Sequence, residues 1–455
     1  MAFLQIPGSA RRQPFEEEVL VGPPGKSLAP GRISYDPERA IELTVMGADW
    51  LPEVGDRTKS FWPALQGETF TGTSFTLLES GIRNLQSSGD RSRAEIVGQT
   101  LALGAHFGAA EDVKFNYLSL SLRGLLEWLT GSYSGIGPTL NRPRADSAFE
   151  ILQVEVEDAS MQMTVDSLES GGPYRRVEES SSGITIEVPV PLSLSEWHDQ
   201  WISPLRDLMI FANRERSVVE GISGSPDIAD PFASVRIFER NETTIGPRSH
   251  YSFYQRDLLP AGIIDTAKLV QAWFKLHRSL GSSSAFFFGT LNSPAITIEN
   301  EFLNLMAFAE AYHRTLHDEK PLSDVDHEAY CKTMLKSLSG EDASVRGLYA
   351  RDLRYSNRQS QRERLTWVVR RAALETWTDS FVEELVSTGS DTRNWLTHWG
   401  DKGDRVAEGA DLAHFNRRLL FVIESNMLDD LGLSQEDADT CLRHGYVWDF
   451  PFSEP

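Results

Sequence analysis

The spacing of the apolar residues changes once along the chain, and this change limits the folds that the chain can adopt. Up to about residue 190, short β-branched and aromatic runs alternate with polar residues, as in Ile151–Glu157 and Ile184–Val190. Such alternation predicts strands with one buried face. From Glu299 onward the apolar residues recur at helical spacing. The predicted fold class is therefore α+β: a β-rich N-terminal domain with a few helices, followed by an all-α bundle.

The same change divides the chain into domains. A chain of 455 residues is too long for one ordinary domain. Residues 1–45 are rich in Pro and Gly and are predicted to be an irregular segment, residues 46–290 to form the β-rich domain, and residues 297–455 to form the bundle. The helix predicted over Asp265–Leu280 is followed by the break Gly281-Ser282-Ser283-Ser284, and the boundary is placed between this break and about residue 297. A second serine-rich stretch, Ser180-Ser181-Ser182-Gly183, is predicted to be a turn.

The charge balance opposes unspecific binding to nucleic acid. The chain carries 44 basic and 66 acidic residues, a net charge of −22, so any RNA contact must be local and basic. The N-terminus lacks the apolar stretch of a signal peptide, and no apolar run approaches the roughly 18 residues of a membrane span. Cys331 and Cys441 provide no disulfide framework. These features predict a cytoplasmic protein with no membrane contact.

No cofactor is predicted. The nearest approach to a nucleotide-binding motif is Gly22-Pro23-Pro24-Gly25-Lys26-Ser27, which lacks the first glycine of a phosphate-binding loop and is interpreted as a turn. Glu310, His313 and His317 share one helical face and could hold zinc or half of a di-iron site. A second Glu-x-x-His pair is missing from the sequence, so polar surface is the favoured interpretation and no metal is predicted.

One short stretch near the C-terminal end carries a permanent cation, an amide and an imidazole within six residues: Ser390-Asp391-Thr392-Arg393-Asn394-Trp395-Leu396-Thr397-His398. We expect Gly389 to end one helix, predicted over Gln361–Ser387, and Ser390 or Asp391 to cap the next. Arg393 and His398 would then lie in the first turns of a new helix, where free N–H groups suit a phosphate. Five positions on an ideal helix place these two residues about 140° apart. Asn394 and His398 share a face.

These residue types suit the cutting of RNA. Ribose supplies its own nucleophile, the 2′-hydroxyl, so a histidine that moves protons and an arginine that stabilises the phosphorane charge can serve without a metal. Histidine titrates near working pH, and arginine binds phosphate oxygens in pairs. We therefore predict Arg393 and His398 as catalytic residues, with Asn394 assisting. One histidine leaves one proton-transfer role open, which a second copy of the chain could fill.

A cluster of arginines precedes this stretch and could supply the local RNA contact. Only Asp352 and Glu363 oppose its eight members between Arg346 and Arg371. The alternative is a solvated helix face with ion pairs. Five members are predicted to bind RNA: Arg358, Arg362, Arg364, Arg370 and Arg371. His414 and the glutamates Glu375, Glu383 and Glu384 are further candidates to assist His398 or Arg393, although solvent-exposed positions are favoured for the glutamates.

The sequence resembles a known family. Arg393-Asn394-Trp395-Leu396-Thr397-His398 fits the motif of HEPN nucleases, and residues 297–446 look like a HEPN helical bundle. With Leu122-Arg123-Gly124-Leu125-Leu126-Glu127-Trp128 and Glu310-Ala311-Tyr312-His313-Arg314, the whole chain is similar to ApeA-like anti-phage proteins. The resemblance implies a metal-independent ribonuclease that dimerises through its HEPN domain and stops growth of an infected cell. It also implies an N-terminal domain that senses a phage-derived trigger or restrains the nuclease.

Two other functional classes stay open from the sequence. The acidic chain could be a non-catalytic assembly module, with a bundle that dimerises and an N-terminal domain that binds a partner. It could also regulate a partner toxin or nucleotidyltransferase, although the chain carries no nucleotidyltransferase signature. If the chain is a nuclease, its RNA could be transfer, messenger or ribosomal RNA.

Overall fold

The computed structural model describes residues 14–36, 40–52, 60–88, 91–130, 148–172, 175–225, 234–239, 258–259, 265–293, 295–317, 320–372, 377–398 and 402–446. The chain divides into two compact units, Met1–Phe274 with Asn292–Pro294, and Lys275–Leu291 with Ala295–Pro455. The second unit thus begins at Lys275, whereas the sequence places the boundary between the Gly281–Ser284 break and about residue 297. None of the helices in the described part of the chain combines the length and apolarity that a bilayer crossing requires.

The first unit is built on antiparallel strands that belong to one sheet. The described strands are β1 (Phe15–Gly22), β2 (Ala29–Tyr35), β3 (Ile41–Met46), β4 (Phe61–Thr69), β5 (Ser74–Ser88), β6 (Arg91–Gly98), β7 (Thr100–Leu103), β8 (Lys114–Leu122), β9 (Ala148–Val156), β10 (Ala159–Gly172), β11 (Arg175–Ser193), β12 (Val219–Ser225) and β13 (Val235–Glu239). Six of them form a closed ring in the order β4-β1-β2-β3-β6-β5, because β4 also pairs with β5.

Alternating side chains fill the inside of this ring. On β3, Ile41, Leu43 and Val45 are fully buried, whereas Glu42 and Met46 are exposed. β1 and β2 contribute Val19, Val21 and Ile33 to the same core. Most of the described residues between 15 and 46 are therefore in strands, and the prediction of an irregular segment over residues 1–45 is wrong for them. Its Pro-Gly cluster forms only the turn between β1 and β2, as predicted for Gly22–Ser27.

The sheet continues from β5 through β7-β13-β12-β8-β11-β10-β9. The predicted turn at Ser180–Gly183 is wrong, because these residues lie inside β11 and pair with Thr164–Ser167 of β10. A capping box follows β11: Ser193 Oγ accepts from Glu196 N, and Glu196 Oε2 accepts from Ser193 N at 2.8 Å. It opens α2 (Leu194–Trp197), which runs through a π-turn (His198–Ile202) into α3 (Ser203–Asn213). A shorter helix, α1, spans Leu125–Thr130.

Helices make up the rest of the described chain. They are α4 (Thr266–Leu280), α5 (Ser284–Asn292), α6 (Ile298–Leu316), α7 (Asp324–Ser337), α8 (Ala343–Leu353), α9 (Gln361–Arg371), α10 (Asp379–His398), α11 (Gly409–Asp430) and α12 (Gln435–Gly445). The predicted α+β fold class is thereby confirmed. Gly432 follows the end of α11 with a φ of 77°, a backbone conformation that favours glycine.

Four of these helices, α6, α9, α10 and α11, form the core of the second unit. Each buries an apolar stripe against the others, as with Phe308 of α6, Val368 of α9, Val386 of α10 and Val422 of α11, all fully buried. Side-chain amides of α11 tie the neighbouring backbones together. Asn416 donates to Ile298 O at the start of α6, and Asn426 donates to Val368 O near the end of α9, both at 2.9 Å.

Candidate functional site

The stretch that carries the motif is the C-terminal half of one continuous helix. α10 runs unbroken from Asp379 to His398, so the predicted break at Gly389 is wrong. A Cβ on Gly389 would lie 2.8 Å from Phe415 Cζ and 3.1 Å from Leu365 Cδ2. This glycine therefore allows α9 and α11 to approach α10 closely, and it does not end a helix.

The helix break comes earlier than the sequence analysis places it. The predicted helix over Gln361–Ser387 is divided into α9, which ends at Arg371, and α10, for which Thr378 Oγ1 accepts a hydrogen bond from Phe381 N at 3.3 Å. The free N–H groups of α10 thus lie near Asp379, more than three turns before Arg393. The helix-start phosphate site predicted for the motif is wrong, and anion binding falls to side chains.

Arg393 lies at the edge of the packed face of α10. Its side chain is 35% exposed, and its Nη2 atom lies 3.9 Å from Oε2 of Glu310 on α6, which is 30% exposed. At this distance and exposure, the ion pair contributes under about 1 kcal/mol. Glu310 therefore gives the guanidinium a partner in the free protein and holds it too weakly to prevent binding to a phosphate.

Asn394 and His398 are exposed on the last two turns of α10. They are four residues apart on a regular helix and share one face. Arg393 is turned about 140° from His398 on the same helix. One chain thus brings the amide and the imidazole together on one face and leaves the guanidinium on another.

The segment 402–408 braces the helix around the motif. The hydroxyl of Thr392, fully buried, accepts a hydrogen bond from Ala407 N at 2.9 Å. Arg405 Nε pairs with Asp391 Oδ2 at 2.9 Å, and Lys402 Nζ lies 5.9 Å from the ring centroid of Trp395. These contacts were not predictable from the sequence, because a threonine inside a motif carries no local signal of a distant backbone partner.

The five arginines predicted to bind RNA have different surroundings. Arg364 is buried and donates from Nε to Gln359 O at 3.1 Å. Arg362 pairs with Glu383 and Ser387, and Arg370 lies 3.8 Å from Asp379. Arg358 is exposed, with its guanidinium carbon 5.3 Å from the ring centroid of Tyr355. These side chains therefore do not form one continuous basic strip.

Arg371 belongs to a polar cluster that links α6, α9 and α11. It pairs with Asp429 and Asp430, donates to His317 Nε2 at 2.9 Å and lies over the Trp367 ring. Burial lowers the pKa of its guanidinium, but the hydrogen bonds to Asp430 and Asp429 outweigh burial and shift the pKa upward. The same cluster raises the pKa of Tyr312, through burial and the charge of Asp430, to which the phenol donates. The cluster therefore stabilises the packing of α6, α9 and α11.

The Glu310 side chain is directed to a different partner from the His313 and His317 side chains, which both pack on Trp367. Glu310 faces Arg393, the buried His313 ring packs edge-on against Trp367 with 4.9 Å between centroids, and His317 stacks on Trp367 at 4.3 Å. Burial lowers the pKa of His317, which favours the neutral ring that accepts from Arg371. Across the described ranges, no three His, Cys, Asp or Glu side chains are grouped as metal ligands.

The remaining residues that the sequence offers as assistants to Arg393 or His398 are three glutamates and His414. Glu383 pairs with Arg362 and is exposed, Glu384 is exposed, and Glu375 lies outside the described residues. His414 is exposed on α11. None of these side chains has a hydrogen bond or ion pair to Arg393 or His398 among the contacts of the described residues.

Comparison with known families gives two matches. Residues 23–262 match the model of ApeA N-terminal domain 1, and residues 303–437 match the model of the Apea-like HEPN domain. The first match covers more than half of the chain, and the second contains Arg393, Asn394 and His398. Searches of curated proteins and of solved structures gave no match.

Proposed function

The chain belongs to the ApeA-like family with a C-terminal HEPN domain, and on that premise we propose that it is a HEPN RNA endonuclease that uses Arg393 and His398. The observation that carries the proposal is the position of the motif. Its amide and imidazole are exposed on the last turns of a packed helix, and its guanidinium is accessible beside a weak partner. A substrate can reach all three groups, and the fold fixes the backbone that carries them.

The reaction needs two proton transfers and one charge stabilisation. The 2′-hydroxyl loses its proton to a base and attacks the adjacent phosphorus. The bond from phosphorus to the 5′-oxygen breaks, and an acid gives that oxygen a proton, which leaves a 2′,3′-cyclic phosphate and a 5′-hydroxyl. His398 suits either proton transfer, and Arg393 stabilises the extra negative charge on the phosphorane. Asn394, on the face of His398, can orient the imidazole or a phosphate oxygen. Because ribose provides the nucleophile, no metal-bound hydroxide is required.

The complete site is proposed to form between two copies of the chain. One copy presents one imidazole, while general acid and general base catalysis require two proton-transfer groups. One copy also turns Arg393 away from His398 by about 140°. Two α10 helices that meet in a homodimer would place the histidine of one copy near the arginine of the other.

The biological role that follows is anti-phage defence by abortive infection. RNA cleavage in the cytoplasm would stop growth of the infected cell, and the N-terminal domain would sense a phage-derived trigger or restrain the nuclease. The net charge of −22 supports a restrained enzyme, because it opposes the approach of RNA except at local basic positions. Transfer RNA is one candidate substrate; the motif does not favour it over messenger or ribosomal RNA.

The test is RNA cleavage by the purified full chain in EDTA. Arg393→Ala and His398→Ala should each lower the cleavage rate by about 100-fold or more, since a positioned proton-transfer group or charge stabiliser contributes at least that factor. His414→Ala is the matched control, because it removes an exposed histidine of the same domain and should cut at the wild-type rate. Wild-type rates in both motif variants would falsify the proposal.

A non-catalytic role for the HEPN domain is the competing function. It is favoured by the acidic net charge and by the separation of Arg393 from His398 on one helix. In that case the domain dimerises or binds a partner toxin, and the wild-type protein leaves RNA intact in EDTA and in magnesium alike. Dimers that form normally without cleavage under either condition would favour this alternative.

A further inference from the structure

The α7–α8 hairpin stands apart from the bundle core. Neither helix contains a buried residue, although α6, α9, α10 and α11 each bury several. α7 and α8 pack mainly on each other, through half-buried residues such as Cys331, Leu335 and Leu353. Half of the large apolar side chains that are exposed in the described chain lie in this region: Leu322, Val325, Tyr330, Met334, Leu348, Tyr349 and Tyr355. The hairpin therefore contributes little to the core and offers a surface.

One part of this surface combines aromatic and cationic groups. We call it the Tyr/Arg platform and define it as Arg346, Tyr349, Arg354, Tyr355 and Arg358. Its tyrosines are 52% and 54% exposed, and its arginines are exposed. Within the described residues, none of these three arginines is paired with a carboxylate, in contrast to Arg362, Arg370 and Arg371. Among the exposed arginines of the cluster from Arg346 to Arg371, those without a carboxylate partner thus lie on the platform.

Hydrogen bonds from Asn357 and His327 hold the turn after α8, which carries part of the platform. Asn357 is buried, its side chain accepts from Leu322 N and donates to Leu322 O, both at 2.8 Å. His327 Nε2 lies 3.1 Å from both Leu353 O and Ser356 Oγ. Arg358 is stacked on Tyr355, with 5.3 Å from guanidinium carbon to ring centroid. A buried clamp under an exposed aromatic-cation pair pre-organises that pair for a ligand.

Charge and chemistry select the ligand. From Ala343 to Arg358 the chain has four arginines against one acidic residue, Asp352, while the whole chain has a net charge of −22. A locally basic surface on an acidic protein complements a polyanion. Exposed tyrosines beside arginines suit a polyanion with accessible flat rings, which is single-stranded nucleic acid, since duplex bases are already stacked.

We propose that the Tyr/Arg platform binds single-stranded RNA by base stacking on Tyr355 and Tyr349 and by phosphate contacts from Arg346, Arg354 and Arg358. The substrate role of that RNA rests on the proposed nuclease function, in which the platform captures RNA and the α10 motif cuts it. Of the five arginines that the sequence predicts to bind RNA, this assignment keeps Arg358. It replaces the four on α9 with Arg346 on α8 and Arg354 in the turn after α8.

Binding is tested separately from cutting by using an RNA that cannot be cut. A fluorescent 2′-O-methyl oligonucleotide of about 12 nucleotides spans a typical single-strand site and lacks the attacking hydroxyl. Its Kd for the full chain is measured by anisotropy, with the matching duplex as competitor. Tyr355→Ala should raise Kd about ten-fold through lost stacking, and Tyr355→Phe, the matched control, should leave Kd unchanged.

The phosphate contacts are tested by their salt dependence. Arg346→Gln/Arg354→Gln/Arg358→Gln should reduce the slope of log K against log salt by about 2, since each phosphate contact on a single strand contributes about 0.7. Unfolding midpoints of all variants are compared with the wild type, so that a lost fold is recognised. The platform proposal would be overturned if Tyr355→Ala kept the wild-type Kd and the triple variant kept the wild-type salt slope. Equal affinity for the duplex would overturn the stacking.

The outcomes separate this inference from the nuclease proposal. If RNA binding depends on Tyr355 but the RNA is never cut, the platform proposal is supported and the nuclease proposal is contradicted. RNA whose cleavage depends on His398, with kcat and KM both unaffected by the platform variants, supports the nuclease and overturns the platform. If the hairpin instead binds another protein chain, sedimentation would show that Val325→Ser/Met334→Gln lowers the oligomeric mass. The platform variants would then also lower this mass and leave the Kd for RNA unchanged. That result would overturn the platform.

Discussion

α10 and the α7–α8 hairpin belong to the same helical unit and differ in how their side chains are held. α10 is packed among α6, α9 and α11, and its motif residues emerge at the end of a backbone that Thr392 and segment 402–408 brace. The hairpin buries nothing fully and exposes its tyrosines and arginines to solvent. Bond cleavage requires fixed geometry, whereas capture of a flexible strand requires accessible rings and charges. The two proposals together would place these two tasks on separate elements of one domain.

The arginines show the same contrast within one stretch of sequence. Arg358 and Arg371 are thirteen positions apart and look equivalent in the sequence, as members of one basic cluster. In the structure, Arg358 lies exposed on Tyr355, and Arg371 is enclosed by Asp429, Asp430 and His317. Residue type alone thus does not distinguish an arginine that the fold uses from one that is exposed to a ligand, whereas burial and partners do.

The largest expected effect on stability comes from a substitution of Arg371, the enclosed arginine of the two. Arg371→Ala should lower the free energy of unfolding of the helical unit by about 3 kcal/mol, because it leaves Asp430, only 16% exposed, without its cation. Arg358→Ala, the matched control, should change the free energy by less than about 0.5 kcal/mol. Calorimetry measures both. Equal losses in the two variants would contradict the assignment of Arg371 to structure and of Arg358 to the surface.

A second prediction compares a glycine of each element. Gly389→Ala should destabilise the bundle by about 1–3 kcal/mol, since the new Cβ would collide with Phe415 and Leu365. Gly347→Ala on α8 adds the same methyl group where nothing lies within 4 Å, and it should stabilise the helix by up to about 1 kcal/mol. Chemical denaturation reports both changes. An unaffected Gly389→Ala protein would show that α10 is not packed as described.

The smallest predicted effect concerns the partner of Arg393. Glu310→Gln should lower the RNA cleavage rate by no more than about five-fold, because the half-exposed pair at 3.9 Å contributes under about 1 kcal/mol to the placement of the guanidinium. Single-turnover rates of Glu310→Gln and Arg393→Ala measured side by side provide the comparison. A loss in Glu310→Gln as large as that in Arg393→Ala would make Glu310 part of the chemistry and not a weak holder of the arginine.

Much of the architecture followed from periodicity. The alternating strands, the capping box at Ser193 and the helices of the bundle were predictable because local burial and local hydrogen bonds determine them. The closed ring was not, since the pairing of β4 with both β1 and β5 depends on contacts between distant residues. Residues 15–46 were misjudged because one Pro-Gly turn between two strands dominates their composition.

At the site, the sequence identified residue types but misplaced the helix that carries them. Gly389-Ser390-Asp391 has the composition of a helix end followed by a cap, yet Gly389 serves close packing against Phe415. The actual start, Thr378-Asp379-Ser380, has an ordinary cap signal with less contrast to its surroundings. The separation of Arg393 from His398 was predictable from helix geometry. The contact of Arg393 with Glu310 was not, because it joins residues 83 positions apart across two helices.

The most direct test of the central claim asks whether His398 and the 2′-hydroxyl of the substrate are both required for cleavage. Once a cut position has been mapped, single-turnover cleavage in EDTA is measured on that RNA and on the same RNA with one 2′-deoxy nucleotide at the cut. The wild type should cut only the first, leaving a 2′,3′-cyclic phosphate, and His398→Ala should cut it about 100-fold more slowly or worse. Cleavage of the deoxy-substituted position, or an unchanged rate in His398→Ala, would contradict the account.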